Sequence, residues 1–155
     1  MDIFETKDLI AIQKEGIYGI WNREYPSKLK YKTQGDFDAY LQGLKDCQHL
    51  LVLDDGILVG WCSLFLRDGE KWFAIILDQQ IQRCGYGTEL LGRLKEKERK
   101  LSGWVIDHNN DVKANGESYL SPLHFYLKNG FITCPEIRLE FENISAVKIV
   151  WVNPG

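Results

Sequence analysis

The apolar segment Trp72-Phe-Ala-Ile-Ile-Leu77 is followed, after Asp78 to Ile81, by the loop Gln82-Arg-Cys-Gly85-Tyr-Gly87-Thr88. An apolar run without alternation predicts a strand that is buried on both faces. Glycines at positions 85 and 87 permit a tight turn and leave room for a ligand to contact the backbone. A helix that begins near Thr88 would add free amide hydrogens and the positive end of its dipole, so the segment suits a bound diphosphate.

The residues after the loop predict a helix over about 88–101 and then a short strand over 104–107. The helix has a buried stripe of four leucines, Leu90, Leu91, Leu94 and Leu101. Its last turns carry basic side chains that suit the negative end of the dipole, namely Lys95, Lys97, Arg99 and Lys100. Because a helix separates the two strands, residues 104–107 are expected to pair in parallel with residues 72–77.

Upstream of the loop, the sequence predicts an antiparallel meander preceded by two helices. Residues 50–53, 57–65 and 72–77 are rich in strand-forming side chains, and the turn signals Asp54-Asp-Gly56 and Arg67-Asp-Gly69 separate them. Apolar side chains at three- and four-residue steps predict helices over 6–21 and 36–44. Pro26 closes the first helical segment, and residues 1–4 are expected to add an edge strand.

Downstream, the sequence predicts one short helix and two final strands. Ser121 and Pro122 are typical of a helix start, because serine caps free amides and proline fits the first turn. Asn129-Gly130 ends that helix, and residues 137–141 and 146–152 predict the strands. No repeat or linker divides the chain, so residues 1–155 are expected to form a single domain.

Composition argues against several classes of protein. The chain has 45% hydrophobic and 26% charged residues, as folded soluble domains do. Its 19 basic and 22 acidic residues give a net charge of −3, which argues against a nucleic-acid partner. The apolar runs are too short to span a membrane, and the three histidines show no metal-ligand spacing. Without a Cys-x-x-Cys pair or a signal peptide, a cytoplasmic location with reduced thiols is expected, at Cys47, Cys62, Cys84 and Cys134.

Three kinds of phosphate-binding loop can be compared with the glycine loop. A dinucleotide-binding fingerprint requires a third glycine, but position 90 is leucine. A nucleoside-triphosphate loop requires Gly-Lys-Ser/Thr, which is absent. A coenzyme A loop remains, and an ordinary turn with two glycines also stays open on this motif alone.

Two motifs resemble the GNAT superfamily of acetyl-CoA-dependent N-acetyltransferases. Members carry Gln/Arg-x-x-Gly-x-Gly/Ala between the fourth strand and third helix, which Gln82, Gly85 and Gly87 match. Phe125-Tyr126-Leu-Lys-Asn-Gly130-Phe131 resembles the late Tyr-x-x-x-Gly-Phe segment of the family. The resemblance covers about residues 50–141. It implies an α/β (α+β) fold in which helices flank a mixed, mostly antiparallel twisted sheet with a splayed parallel strand pair that binds CoA.

The resemblance also implies residues that bind acetyl-CoA. Backbone amides of the loop would cradle the pyrophosphate and Thr88 would add a hydroxyl. Cys84 stands where the family often has a basic residue, and Tyr119 and Pro122 replace an asparagine and an alanine that many members carry. The implied binding residues are Leu77, Gln82, Arg83, Cys84, Gly85, Tyr86, Gly87 and Thr88.

Acetyl transfer needs an acid, an oxyanion donor and a base. By resemblance Tyr126 lies beside the CoA sulfur, and a phenol with a pKa near ~10 can donate a proton at neutral pH. The backbone amide of Leu77 is the implied oxyanion donor, next to a bulge that parts the two parallel strands. The base is not resolved. Asp78 is the assigned candidate, Glu70, Asp107 and His108 are others, and each also fits an ordinary turn or solvated charge.

The resemblance favours an N-acetyltransferase in which a primary amine of a small molecule or peptide attacks acetyl-CoA directly in a ternary complex, without a metal. A module that binds acetyl-CoA without transfer, and an interaction protein with no CoA site, stay open. Trp21 and Tyr25 lie where the family often forms its acceptor pocket, although core packing explains them as well. The sequence specifies neither the acceptor nor the assembly, for which a homodimer is the commonest form.

Overall fold

The computed structural model describes all 155 residues, which form one seven-stranded sheet with helices on both faces. The strands are β1 (Asp2–Thr6), β2 (Lys45–Asp54), β3 (Ile57–Arg67), β4 (Glu70–Leu77), β5 (Lys100–Val105), β6 (Ile132–Phe141) and β7 (Ile144–Val152). The helices are α1 (Ala11–Glu24), α2 (Gln34–Gln42), α3 (Tyr86–Lys97) and α4 (Leu123–Lys128), with 3₁₀ turns at Ser27–Leu29 and Gln79–Ile81.

The sheet is mixed, and its one parallel pair opens at the centre. The strand order is β1-β2-β3-β4-β5-β7-β6, and every neighbouring pair is antiparallel except β4 and β5. β4 and β5 share a single residue pair, Trp72 with Ser102, whereas β5 pairs with β7 over six residues. The predicted mixed sheet with a splayed parallel pair is therefore confirmed.

Two apolar clusters hold the helices on opposite faces of the sheet. On one face α3 and α4 contribute Leu90, Leu91, Leu94 and Tyr126 to the larger cluster. On the other face α1 and α2 bury a smaller cluster, which includes Ile17, Ile20, Trp21, Phe37 and Trp61. Alternation along β3 and β4 sends neighbouring side chains to different clusters. The open strand pair therefore has an apolar layer on each side.

The helix predicted over 88–101 is wrong at its C-terminal end. α3 ends at Lys97, and Leu101 lies in β5, where it pairs with Trp151 of β7 and is completely buried. Arg99 lies between the elements, and Lys100 is the first residue of β5 rather than part of a last helical turn. Leu101 follows Leu94 at a helical spacing, so the pattern alone could not separate a helix residue from a buried strand residue.

Other boundaries of helices and strands differ from the predicted ones, because strand pairing extends beyond the most apolar residues. β1 reaches Thr6, which pairs with His49, so α1 begins at Ala11 rather than at position 6. α2 begins and ends two residues earlier than predicted. β2 begins at Lys45 rather than at 50, and β6 begins at Ile132 rather than at 137. Pro135 is tolerated in β6 because that strand is at the edge of the sheet, beside a register shift between Cys134 and Arg138.

The start of α4 lies one residue later than predicted, because Pro122 is the N-cap and Leu123 is the first helical residue. The Ser121 hydroxyl accepts a hydrogen bond of 3.2 Å from the Leu123 amide and donates one of 2.5 Å to the Ile106 carbonyl. The helix ends at Lys128, and Gly130 adopts a φ of +88° just beyond it. The Ser121 hydroxyl therefore caps the first amide of α4 and fastens the helix to the end of β5. None of the helices is long and apolar enough to cross a bilayer.

Candidate active site

The gap between β4 and β5 exposes backbone amides of β4. The Asp78 amide donates to the Val59 carbonyl at 2.8 Å, and the register between β3 and β4 is regular from Gly60–Leu77 to Arg67–Glu70. Bonded and non-bonded residues alternate in such a ladder. Ile75 and Leu77 therefore direct their amides away from β3, toward the gap. The bulge expected in β4 is absent from this register, and β5 shares one residue pair with β4 but six with β7.

Gln82 crosses the mouth of this gap. Its side-chain amide donates a 2.9 Å hydrogen bond to the Leu77 carbonyl and lies 3.5 Å from the Glu24 carboxylate. This hydrogen bond satisfies the Leu77 carbonyl, which has no partner in β5 because the two strands have parted there. Gln82 therefore ties the glycine loop to the end of β4.

The glycine loop presents free amides at the start of α3. Arg83 and Gly85 adopt positive φ angles of 64° and 91°, and Gly85 is the N-cap. The Glu89 amide bonds to the Gly85 carbonyl at 3.1 Å, so the three preceding amides, those of Tyr86, Gly87 and Thr88, have no helical acceptor. A helix start of this kind favours phosphate oxygens.

A cleft of about 640 Å³ runs from the glycine loop along the gap to α4. Seven of the predicted residues line it together: Leu77, Gln82, Arg83, Gly85, Gly87, Thr88 and Tyr126. Cys84 and Tyr86 do not line it, since Cys84 is exposed and Tyr86 packs against the larger apolar cluster. Asp78 lies instead in a neighbouring polar cavity with Arg23 and Lys113.

Tyr126 is held rigidly in α4. Its side chain is buried, and its ring lies 5.7 Å from that of Phe73 and 5.5 Å from that of Phe131. Burial raises the pKa of the Tyr126 phenol well above its usual value, so the group keeps its proton at neutral pH. No protein group forms a hydrogen bond with its hydroxyl, which is available to a ligand in the cleft.

Three of the base candidates named from the sequence are held by ion pairs. Asp78 lies 2.9 Å from Arg23 and caps the Gln80 amide. Hydrogen bonds from Lys100 and Lys148 lower the pKa of Glu70, and the 2.9 Å contacts of Arg138 lower that of Asp107. His108 lies 3.9 Å from the Asp111 carboxylate. None of these groups lines the cleft.

Glu24, at the end of α1, is the acidic residue that does line the cleft. It is buried, it pairs with Lys113 at 2.9 Å, and it accepts a 3.0 Å hydrogen bond from the Gln79 amide. Sequence reasoning missed it, because a glutamate in a last helical turn gives no signal that distinguishes it from a solvated charge. Lys128 and His124 also line the cleft from α4, and sequence reasoning assigned neither of them to coenzyme binding.

Comparisons with known proteins agree with this geometry. A sequence model of the acetyltransferase (GNAT) domain matches residues 45–133. Among solved structures, an aminoglycoside 6'-N-acetyltransferase complexed with coenzyme A has a TM-score of 0.73 at 12% identity, with 98% of this chain and 97% of that chain covered. An acyl-CoA N-acyltransferase from Pseudomonas aeruginosa has a TM-score of 0.68 at 16% identity, with 97% and 99% covered. No curated protein sequence matches the chain.

With its parted parallel strands and the match to this domain, the protein is an acyltransferase. The chain belongs to the GNAT acetyltransferase family. The family resemblance in the glycine loop and in the Tyr-x-x-x-Gly-Phe segment is thereby confirmed. At 12–16% identity, the solved structures establish the fold they share with this chain.

Proposed function

We propose that the protein transfers the acetyl group of acetyl-CoA to a primary amine by direct attack in a ternary complex. The observation that carries the proposal is the position of Tyr126. It lines both the cleft that begins at the glycine loop and a second cavity on the opposite side of the gap. A thioester that enters from one side and an amine that enters from the other would meet beside its hydroxyl.

Free amides and two cations support binding of the CoA diphosphate at the start of α3. The backbone amides of Tyr86, Gly87 and Thr88 would donate hydrogen bonds to phosphate oxygens. The side chain of Tyr86 would take no part, because it does not line the cleft. Arg83 and Lys128 line the same cleft and would neutralise phosphate charge. Cys84 is exposed at the loop and would contribute no charge.

During acetyl transfer, negative charge develops first on the carbonyl oxygen and then on the sulfur, and a different group of the protein would stabilise each. As the amine nitrogen bonds to the carbonyl carbon, negative charge moves to the carbonyl oxygen, and amides of β4 that face the gap, such as that of Leu77, would stabilise it. When the carbon–sulfur bond breaks, the thiolate takes the Tyr126 proton. The amine gives up its own proton, so the products are an amide and free CoA.

Glu24 is the group we propose to receive the amine proton, directly or through water. It is a buried carboxylate in the cleft, and Gln82 links it to the carbonyl of Leu77. Asp78 remains the alternative; both carboxylates are ion-paired, but Asp78 lines the neighbouring polar cavity and not the cleft. If neither group acts as a base, the protein would be a module that binds acetyl-CoA without transfer.

The test measures CoA release with a panel of primary amines for the wild type and for Tyr126→Phe, which keeps the ring and removes the hydroxyl. Loss of a general acid is expected to lower kcat by about 10²–10⁴-fold, with an unchanged dissociation constant for acetyl-CoA. Equal kcat values would refute the role of Tyr126. Tight acetyl-CoA binding without turnover of any amine would establish the binding module instead.

Composition supports the remaining expectations. A net charge of −3 supports small-molecule or peptide acceptors over nucleic acid. The cytoplasm is the expected location because it supplies acetyl-CoA and keeps the four thiols reduced. A homodimer is a further expectation, testable by sedimentation.

A further inference from the structure

A second cavity, of about 300 Å³, lies on the α1 and α2 side of the sheet. It shares five lining residues with the coenzyme cleft, namely Tyr25, Ile75, Tyr119, Pro122 and Tyr126. The cavity is near the lower end of the ~300–1,000 Å³ range of small-molecule sites. An acceptor amine bound in this cavity would lie next to the gap between β4 and β5. Through that gap the amine would reach the thioester of acetyl-CoA.

The cavity is walled by aromatic rings. Trp72 and Trp104 lie 5.1 Å apart, centroid to centroid, along its floor. Trp21 packs edge-on against Tyr25 at 4.6 Å, and Tyr25 lies 6.4 Å from Tyr119. Of the 19 residues that line the cavity, 17 are hydrophobic. Flat walls of this kind fit an aromatic body of one or two rings.

The cavity contains no carboxylate that could pair with a bound cation. None of its lining residues is aspartate or glutamate. Burial raises the pKa of Tyr25, Tyr40 and Tyr119, so these phenols stay neutral as well. A substrate with several ammonium groups would therefore lose their hydration without gaining an ion pair.

Arg67 is the one charged residue that lines the cavity, and its positive charge repels a substrate with several ammonium groups. Its guanidinium carbon lies 4.9 Å from the centre of the Phe65 ring and 5.8 Å from that of Trp72. No carboxylate pairs with it in the structure. Arg67 is exposed, so an approaching second ammonium group would meet its positive charge as a repulsion that solvent partly screens.

Trp72 contributes to the wall a buried polar atom that lacks a partner. Trp72 is 5% exposed, and its indole N–H has no hydrogen-bond acceptor in the protein. Buried donors without partners are rare in folded proteins. The atom has almost no exposed surface, so an oxygen on a ligand ring would accept from it only after the wall shifts.

We infer that the acceptor is an aromatic monoamine: a primary amine on a short alkyl arm attached to a ring, with no second positive charge. This inference rests on the proposed acetyl transfer. The ring would lie among Trp72, Trp104 and the tyrosines, and the amine would extend toward Tyr126. The aminoglycosides named for two similar structures are polycations, a class that this cavity disfavours.

The experiment compares kcat/KM for 2-phenylethylamine, tyramine, 1,6-diaminohexane and kanamycin with saturating acetyl-CoA. Both aromatic monoamines are expected to exceed the diamine and kanamycin by at least about 100-fold, the ratio that corresponds to about 2.7 kcal/mol. Arg67→Glu is expected to raise kcat/KM for 1,6-diaminohexane at least about tenfold relative to 2-phenylethylamine. Lys7→Glu makes the same charge change at an exposed site outside the cavity and is expected to leave the ratio unchanged.

A separate titration with acetyl-CoA distinguishes the two possible failures. If acetyl-CoA binds but the polyamines are the better substrates, or no aromatic monoamine is acetylated, the inference about the acceptor is wrong and the coenzyme site stands. An unchanged amine preference in Arg67→Glu also contradicts it. If acetyl-CoA does not bind, the proposed transfer is wrong, and the inference about the acceptor is overturned with it.

Discussion

Gly87 of the glycine loop packs directly against Phe125 of α4. A Cβ at position 87 would lie 2.8 Å from the Cζ atom of the Phe125 ring, closer than real contacts allow. The two sequence motifs therefore touch each other, and the absence of a side chain at Gly87 sets how closely α4 approaches the loop. Tyr126 is the next residue along, so this contact also sets the position of the proposed acid.

Gly87→Ala is expected to destabilise the protein by about 1–3 kcal/mol, the usual cost of forcing an extra methyl group into a packed site. Gly92→Ala is the matched control on the same helix. A Cβ there meets nothing within 4 Å, so alanine is expected to stabilise by about 0.5–1 kcal/mol through its helix propensity. Urea unfolding measures both values. Equal effects of the two substitutions would show that α4 does not depend on this contact.

Glu24→Gln is expected to lower kcat by about 10²–10⁴-fold, because it removes the proposed base while keeping an oxygen for the Gln79 amide. Asp78→Asn is the comparison, since Asp78 is the other candidate. A larger loss of kcat in Asp78→Asn than in Glu24→Gln would transfer the role to Asp78.

His49 is expected to make stability depend on pH. Trp61 donates a 3.0 Å hydrogen bond to its Nδ1 atom, and burial lowers the pKa of His49 to about 4. An unfolded histidine has a pKa of about 6.5. Between these values the unfolded chain binds the extra proton, so stability is present above pH 6.5 and is lost as the pH falls toward 4.

The contribution of His49 approaches a slope of about 1.4 kcal/mol per pH unit within that window. His49→Asn keeps an acceptor for Trp61 and removes the titration, so its unfolding free energy is expected to vary less with pH. Urea unfolding at several pH values measures the difference. The carboxylates of Glu70 and Asp107 have lowered pKa values and lose their contribution only at more acidic pH. Parallel pH curves for the two proteins would contradict the assignment.

Local patterns predicted the elements of the fold but not all of their ends. Gly56 and Gly69 mark the hairpin turns, and the Ser121 hydroxyl caps the first amide of α4 as expected. The end of α3 was missed because Leu101 continues the helical spacing, although its partner is Trp151 on a distant strand. Ends that depend on pairing across the sheet cannot be inferred from neighbours in sequence.

The candidate site was predictable where a backbone conformation requires a particular residue. The backbone at position 85 adopts a φ of +91°, which glycine adopts without strain. The glycine itself therefore indicates this conformation in the sequence. Glu24, Arg67 and Trp104 carry no such signal. Their roles arise because α1, β3 and β5 meet around the open strand pair, a relationship that appears only in three dimensions.

Isothermal titration calorimetry with acetyl-CoA, on the wild type and on Gly85→Glu, tests the amide cradle most directly. Gly69→Glu is the control, since Gly69 also has a positive φ and open space, and lies at the far end of β4 from Leu77. Wild type and Gly69→Glu are expected to bind alike. Gly85→Glu should weaken binding at least about 100-fold, because a carboxylate would occupy and repel the diphosphate. No heat for the wild type, or equal dissociation constants for all three, would contradict the account.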